Sequence, residues 1–154
     1  AQFLRHDEAR FARLCGQLAE LRGDPAAAAE DYRSALEHAP DLELRLRRGV
    51  LLARLAQLGE AEAELARVVA ERPEERAARE ALADLYERDG QRDRAEHELA
   101  VLAALAPSEP APVRALVAFY RRRGEAQHAA AAEQRARALE GDGRKLRPLL
   151  PARR

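Results

Sequence analysis

A small residue, an alanine and a proline return along this chain at a nearly fixed stride, and no other feature restricts its folding so tightly. The sets are Gly16, Ala28 and Pro40; Gly49, Ala61 and Pro73; Ala83, Ala95 and Pro107; and an incomplete Val117 and Ala129. Within a set the marks lie about twelve residues apart, and successive sets advance by 33, 34 and 34 residues. Periods of this size belong to helical repeat arrays, whose units bury their apolar faces against one another rather than around one centre. The length of 154 residues, ordinary for a single domain, therefore constrains little.

Composition agrees. Hydrophobic residues make up 47% of the chain, but Ala and Leu supply almost all of them, aromatics are few, and Met, Trp, Ile, Thr and Asn are absent. Small and unbranched side chains favour close-packed helices, whereas sheets draw on branched and aromatic ones. The fold class is all-α. Acids and bases balance at 27 each, so no net charge points to nucleic acid or an anionic membrane, and no apolar run is long enough to span a bilayer. Lys145 is the only lysine, which reads as the codon bias of a GC-rich bacterial genome. A single cysteine, Cys15, excludes an intramolecular disulfide and leaves a cytoplasmic and a periplasmic setting both open. The chain opens on Ala1 without a signal peptide, which is expected of a trimmed or processed product.

Amphipathic segments separated by Gly, Pro and Asp predict four helix pairs: 7–21 with 25–38, 41–55 with 59–71, 74–89 with 92–105, and 109–123 with 126–140. Asp24 is the expected N-cap ahead of Pro25 at the first helical position, and Gly23, Gly90 and Gly124 are the expected C-terminal stops.

In register, the residues resemble the tetratricopeptide repeat, a helix-turn-helix unit of 34 residues. A first unit begun at Ala9 carries Gly16, Ala19, Gly23, Ala28, Tyr32, Ala35 and Pro40; a second, from Leu42, Gly49, Leu52, Ala56, Ala61, Leu65, Val68 and Pro73. The third, from Arg76, has Ala83, Tyr86, Gly90, Ala95, Leu99, Leu102 and Pro107, and the fourth, from Pro110, has Val117, Tyr120, Gly124, Ala129, Glu133 and Ala136 without a closing proline. The resemblance implies a right-handed α-solenoid of antiparallel helix pairs. It divides the chain into an extension or remnant of a preceding repeat (1–8), repeats at 9–41, 42–75 and 76–109, a fourth or capping repeat at 110–140, and a basic, flexible tail at 141–154.

Packing expectations follow. Gly16, Gly49 and Ala83 should let each first helix approach the second helix of its own pair, with Ala28, Ala61 and Ala95 facing them, while Tyr32, Leu65 and Leu99 fill the gap to the next unit. Cys15 is expected inside the first helix contact as a small hydrophobe. Glu133 and Arg137 stand where a following repeat would need apolar residues and so should form a polar cap, with Leu146, Leu149 and Leu150 available to fold over the last helix. Phe3, Leu4 and Phe11 are apolar with no preceding partner in the pattern.

No residues point to catalysis, a metal or a cofactor. Gly141-Asp142-Gly143 lacks the strand-turn-helix setting of a phosphate loop, the four histidines are scattered, and Glu125 with His128 has no second carboxylate-histidine pair. The resemblance implies instead a groove along the first helices. Mapped onto this chain it is banded: Arg10, Arg13, Gln17, Arg47, Val50 and Arg54, then the acidic Glu80, Asp84 and Glu87, then Arg114, Arg121 and Arg122. Such bands suit a ligand with the complementary charge order; alternatively they satisfy one another across adjacent helices. A clamp for acidic chaperone tails is only half present, since Ala77 and Ala81 occupy its last two basic positions. The expected role is a non-catalytic scaffold binding a protein or peptide, in the assembly of a larger bacterial complex. A homo-oligomerisation module and the targeting part of a larger enzyme are the alternatives.

Overall fold

The computed structural model describes residues 2–145, with side chains described over 5–141. The described residues are all-helical, in eight helices: α1 (Gln2–Leu21), α2 (Pro25–His38), α3 (Leu42–Arg54), α4 (Leu58–Glu71), α5 (Arg76–Arg88), α6 (Arg92–Leu105), α7 (Pro110–Arg122) and α8 (Ala126–Lys145). They follow one another in sequential pairs and fall into two compact units, Ala1–Ala95 and Glu96–Arg154.

In the first unit α1 packs on α2, α3 on α4, and the pairs join through α2 with α3, α4 with α5, and α3 with α5. The close approach within a pair depends on the missing side chain at the eighth position. A Cβ on Gly16 would lie 2.4 Å from Cε1 of Tyr32, and one on Gly49 would lie 2.8 Å from Cγ of Leu65. Tyr32 and Leu65 therefore pack against the glycine of their own helix pair, and the Tyr32 hydroxyl also meets the next unit, where it accepts from Arg47 of α3. Ala28, Ala61 and Ala95 are completely buried. Cys15 is only half-buried, not interior: it lies on the flank of α1 beside the face of Ala12, Gly16 and Ala19 that meets α2.

Caps set the helix ends. Asp24 accepts the Ala27 amide at 3.0 Å and Asp41 accepts the Leu44 amide at 3.1 Å, so each satisfies an N–H that the first helical turn leaves open. At the other ends, the chain reverses through a left-handed residue at Gly23 (φ 74°), Ala56 (φ 59°), Gly90 (φ 75°) and Gly124 (φ 72°). The amide after each one bonds back to the fifth residue before it: Asp24 to Ala19, Gln57 to Leu52, Gln91 to Tyr86 and Glu125 to Tyr120, at 2.8–3.0 Å. Ala56 alone holds this geometry with a Cβ.

In the second unit α7 packs on α8, over a core that includes Leu99, Leu102, Val113, Leu116, Val117, Phe119, Ala129 and Ala136. The helix of residues 126–140 expected from the sequence continues to Lys145, through Gly141 and Gly143. Two helical glycines cost about 1 kcal/mol each relative to alanine, which slows but does not forbid propagation of a helix already nucleated on α7. Leu146, Leu149 and Leu150 lie outside the described residues, as do the side chains of Phe3 and Leu4.

Candidate functional site

The surface singled out from the sequence lies on the first helix of each pair, and the structure shows what its charges touch. On α1, Arg10 is exposed and Gln17 half-exposed, while Arg13 reaches Asp41 Oδ2 at 2.8 Å. Asp41 thus caps α3 with one carboxylate oxygen and receives α1 with the other. On α3, Arg47 donates to the Tyr32 hydroxyl at 3.4 Å and lies 4.0 Å from Glu20 and 3.9 Å from Glu43. Val50 and Arg54 of α3 are exposed. The basic residues of α1 and α3 are therefore partly engaged by neighbouring helices, the alternative that left the bands satisfying one another.

The acidic row on α5 is more open. Glu80 is exposed, and the Asp84 side chain keeps 69% of its surface in solvent with Arg88 at 3.9 Å. Glu87, one turn on, is half-buried and has a partner. Arg88 donates at 2.8 Å to the Ala53 carbonyl, which ties α5 to the end of α3 while the same nitrogen stays 3.9 Å from Asp84.

In the second unit Arg114 and Arg121 of α7 are paired within that unit. Arg114 Nε lies 2.7 Å from Glu140, and Arg121 lies 2.8 Å from Glu133, which also receives Arg137 at 3.1 Å. Glu133 and Arg137, expected as a polar cap, thus form an ion-pair cluster with Arg121. Glu125 receives His128 at 3.0 Å and Arg123 at 2.6 Å, and these two hold its carboxyl below the usual range. Among the described residues no group of histidine, cysteine and carboxylates is placed to hold a metal ion.

Two networks had not been singled out from the sequence. Arg48, almost fully buried, donates to Glu64 at 2.6 Å, to Glu60 at 2.9 Å and to the Ala29 carbonyl at 3.2 Å, while Arg45 meets Glu64 at 2.8 Å. Four charges and a carbonyl therefore lock α2, α3 and α4 together. The second is a pair of tyrosine-glutamate ties. Tyr86 donates to Glu62 at 3.2 Å, with Arg94 over the ring 4.0 Å from its centroid, and Tyr120 donates to Glu96 at 2.7 Å. Burial, then the hydrogen bond to Glu96, push the Tyr120 hydroxyl up to about 12.

The backbone is similar to MamA from Desulfovibrio magneticus RS-1, with a TM-score of 0.74 and 24% identity over 88% of this chain and 77% of that one. The fold is that of tetratricopeptide-repeat proteins. PilW, a widely conserved type IV pilus biogenesis factor, has the same tetratricopeptide architecture, with a TM-score of 0.72 and 23% identity over 86% of this chain and 62% of PilW. MamA MSR-1 aligns with a TM-score of 0.73 at 19% identity over 88% of this chain and 78% of its own. No family model and no curated protein matches the sequence. At these identities the tetratricopeptide likeness shows the fold alone.

Proposed function

We propose that this chain is a non-catalytic scaffold that binds an extended or helical segment of a protein partner along the first helices of its repeats, in the assembly of a larger bacterial complex. The observation that carries this reading is the acidic row of α5. Glu80 and Asp84 stay exposed one turn apart, whereas Arg13 and Arg47 on α1 and α3 are already met by Asp41, Tyr32 and Glu20. Carboxylates held open on a rigid helix suit a basic segment, and Val50 of α3 adds an exposed apolar contact. The similarity to PilW, a type IV pilus biogenesis factor, supports a role in assembly by analogy of fold.

The test is affinity capture from a lysate of the source cell, with the wild-type chain beside Glu80→Arg/Asp84→Arg and Arg13→Glu/Arg47→Glu variants. A protein retained by the wild type and lost by the α5 variant, with unchanged helicity by circular dichroism, is the expected result. Equal recovery by all three baits would reject the first-helix face as the recognition surface.

A further inference from the structure

The first junction between helix pairs lacks a ring that the next two possess. Tyr86 is 3% exposed, donates to Glu62 at 3.2 Å and carries Arg94 4.0 Å from its ring centroid. Tyr120 donates to Glu96 at 2.7 Å, with the His128 ring at 5.2 Å between centroids. In the register of the repeats, the ring position at the first junction belongs to Leu52, the acceptor position to Ala29, and the place of Arg94 and His128 to Glu60. These three residues all line one recess of about 370 Å³, between α2, the end of α3 and the start of α4.

The lining keeps the kinds of group that hold Tyr86, a guanidinium and a carboxylate, without the ring between them. Arg48, whose counterparts are Leu82 and Leu116, brings the guanidinium, fixed by Glu64, Glu60 and the Ala29 carbonyl. Glu60 uses only Oε2 on Arg48; its side chain is 61% exposed and, among the described residues, nothing donates to Oε1. Ala26 and Leu55 add apolar walls, while Ala29 and Leu52, at 5% and 1% exposure, close the base. The volume lies at the lower end for small-molecule sites, and the narrow base suits one flat ring. A phenol satisfies each part: apolar contact for its faces, the Arg48 cation beside its π-system, and Glu60 Oε1 as acceptor for its hydroxyl. Ala26, Glu30 and Glu60 at the rim are exposed, so a main chain bearing that ring can stay outside.

We propose that this recess is a further binding site, for the phenol ring of a tyrosine on a partner protein, which enters from outside the space that Tyr86 and Tyr120 fill from within at the later junctions. None of the lining residues belongs to the binding face of α1, α3 and α5, so the site stands independently of the role given to that face.

NMR titration of the 154-residue chain with p-cresol, toluene and N-acetyl-tyrosinamide, read at the methyl groups of Leu52 and Leu55, tests it. The two phenols should shift these methyls saturably, and toluene, which lacks the hydroxyl, should bind about tenfold more weakly or worse, as a hydrogen bond to a charged acceptor implies. Leu52→Tyr/Ala29→Glu rebuilds the later tie inside the recess and should abolish the shift at Leu55 with unchanged circular dichroism. Glu60→Ala leaves the base and the Arg48–Glu64 pair in place and should reduce p-cresol to the level of toluene. Absence of a saturable shift, or binding that survives the filled recess, overturns the site. Equal binding of toluene and p-cresol to the wild type overturns the assignment to a phenol. Binding of p-cresol with exclusion of N-acetyl-tyrosinamide overturns the partner tyrosine and assigns the recess to a free phenol.

Discussion

The Tyr120 hydroxyl donates to Glu96 across 2.7 Å, and Tyr86 makes the same bond to Glu62 at 3.2 Å with the same separation of 24 residues. The corresponding places at the first junction hold Leu52 and Ala29, both buried. The junction is therefore built either as a hydrogen-bonded pair or as an apolar pair. Mixing the two should be costly: Tyr120→Leu leaves Glu96 without its donor and should lose about 1–3 kcal/mol. Adding Glu96→Ala should recover much of that loss. Urea unfolding of the four proteins of this cycle measures the coupling, and a value below about 0.3 kcal/mol would remove the pair from the account of stability.

The same tyrosine makes stability fall in alkali. Its folded pKa, about 12, lies above the ordinary value of 10.0, so between these values the folded chain holds a proton that the unfolded chain releases. The contribution is complete below pH 10 and is lost as pH rises toward 12. Tyr120→Phe should be less stable than wild type near neutrality but show a shallower decline over that window. Denaturant midpoints at stepped pH values decide it, and parallel declines for the two proteins would contradict it.

At the end of α3, Ala56→Gly should stabilise the chain. Ala56 sits at φ 59° where the three matching turns use glycine. Relief of the Cβ contact is worth about 1–2 kcal/mol, offset by the greater freedom of glycine in the unfolded chain, for a net gain of about 0.5–1 kcal/mol. Ala56→Val should move the thermal midpoint the other way.

Glycine to alanine should act in opposite senses at two helical sites. Gly16→Ala drives a methyl into the completely buried ring of Tyr32 and should cost about 1–3 kcal/mol. Gly59→Ala in α4 meets nothing within 4 Å and should gain up to about 1 kcal/mol through helix propensity. Thermal melts of the two variants provide the comparison, and equal shifts would show that the space over Gly16 is not limiting.

What could be read in the sequence was local or periodic. Asp24 before Pro25, Gly90 after a helix, and the recurrence of small residues at 16, 49 and 83 each report on a turn or a close contact through the residue's own geometry. The Tyr–Glu ties were hidden because the partners lie 24 residues apart and neither type marks a junction by itself. Arg48 looks like any other arginine in a chain rich in them, and only the positions of Glu60, Glu64 and the Ala29 carbonyl give its burial a cause. The close fit of Tyr32 and Leu65 over Gly16 and Gly49 within their own pairs was not legible from their size alone, because it depends on the glycines opposite them. In the candidate surface, Arg10 and Glu80 carry the same exposure that the register implies; the engagement of Arg13 by Asp41 depends on a neighbouring helix that no local pattern specifies.

The four left-handed turns have one further consequence. Each first helix is closed by main-chain bonds, from Asp24 to Ala19 through Glu125 to Tyr120, so the path of the chain at these corners is written in its peptide groups. Outward side chains can then be exchanged without redrawing that path. The corners are thereby fixed without the outward side chains, so substitutions on the exposed faces of the first helices leave the frame in place.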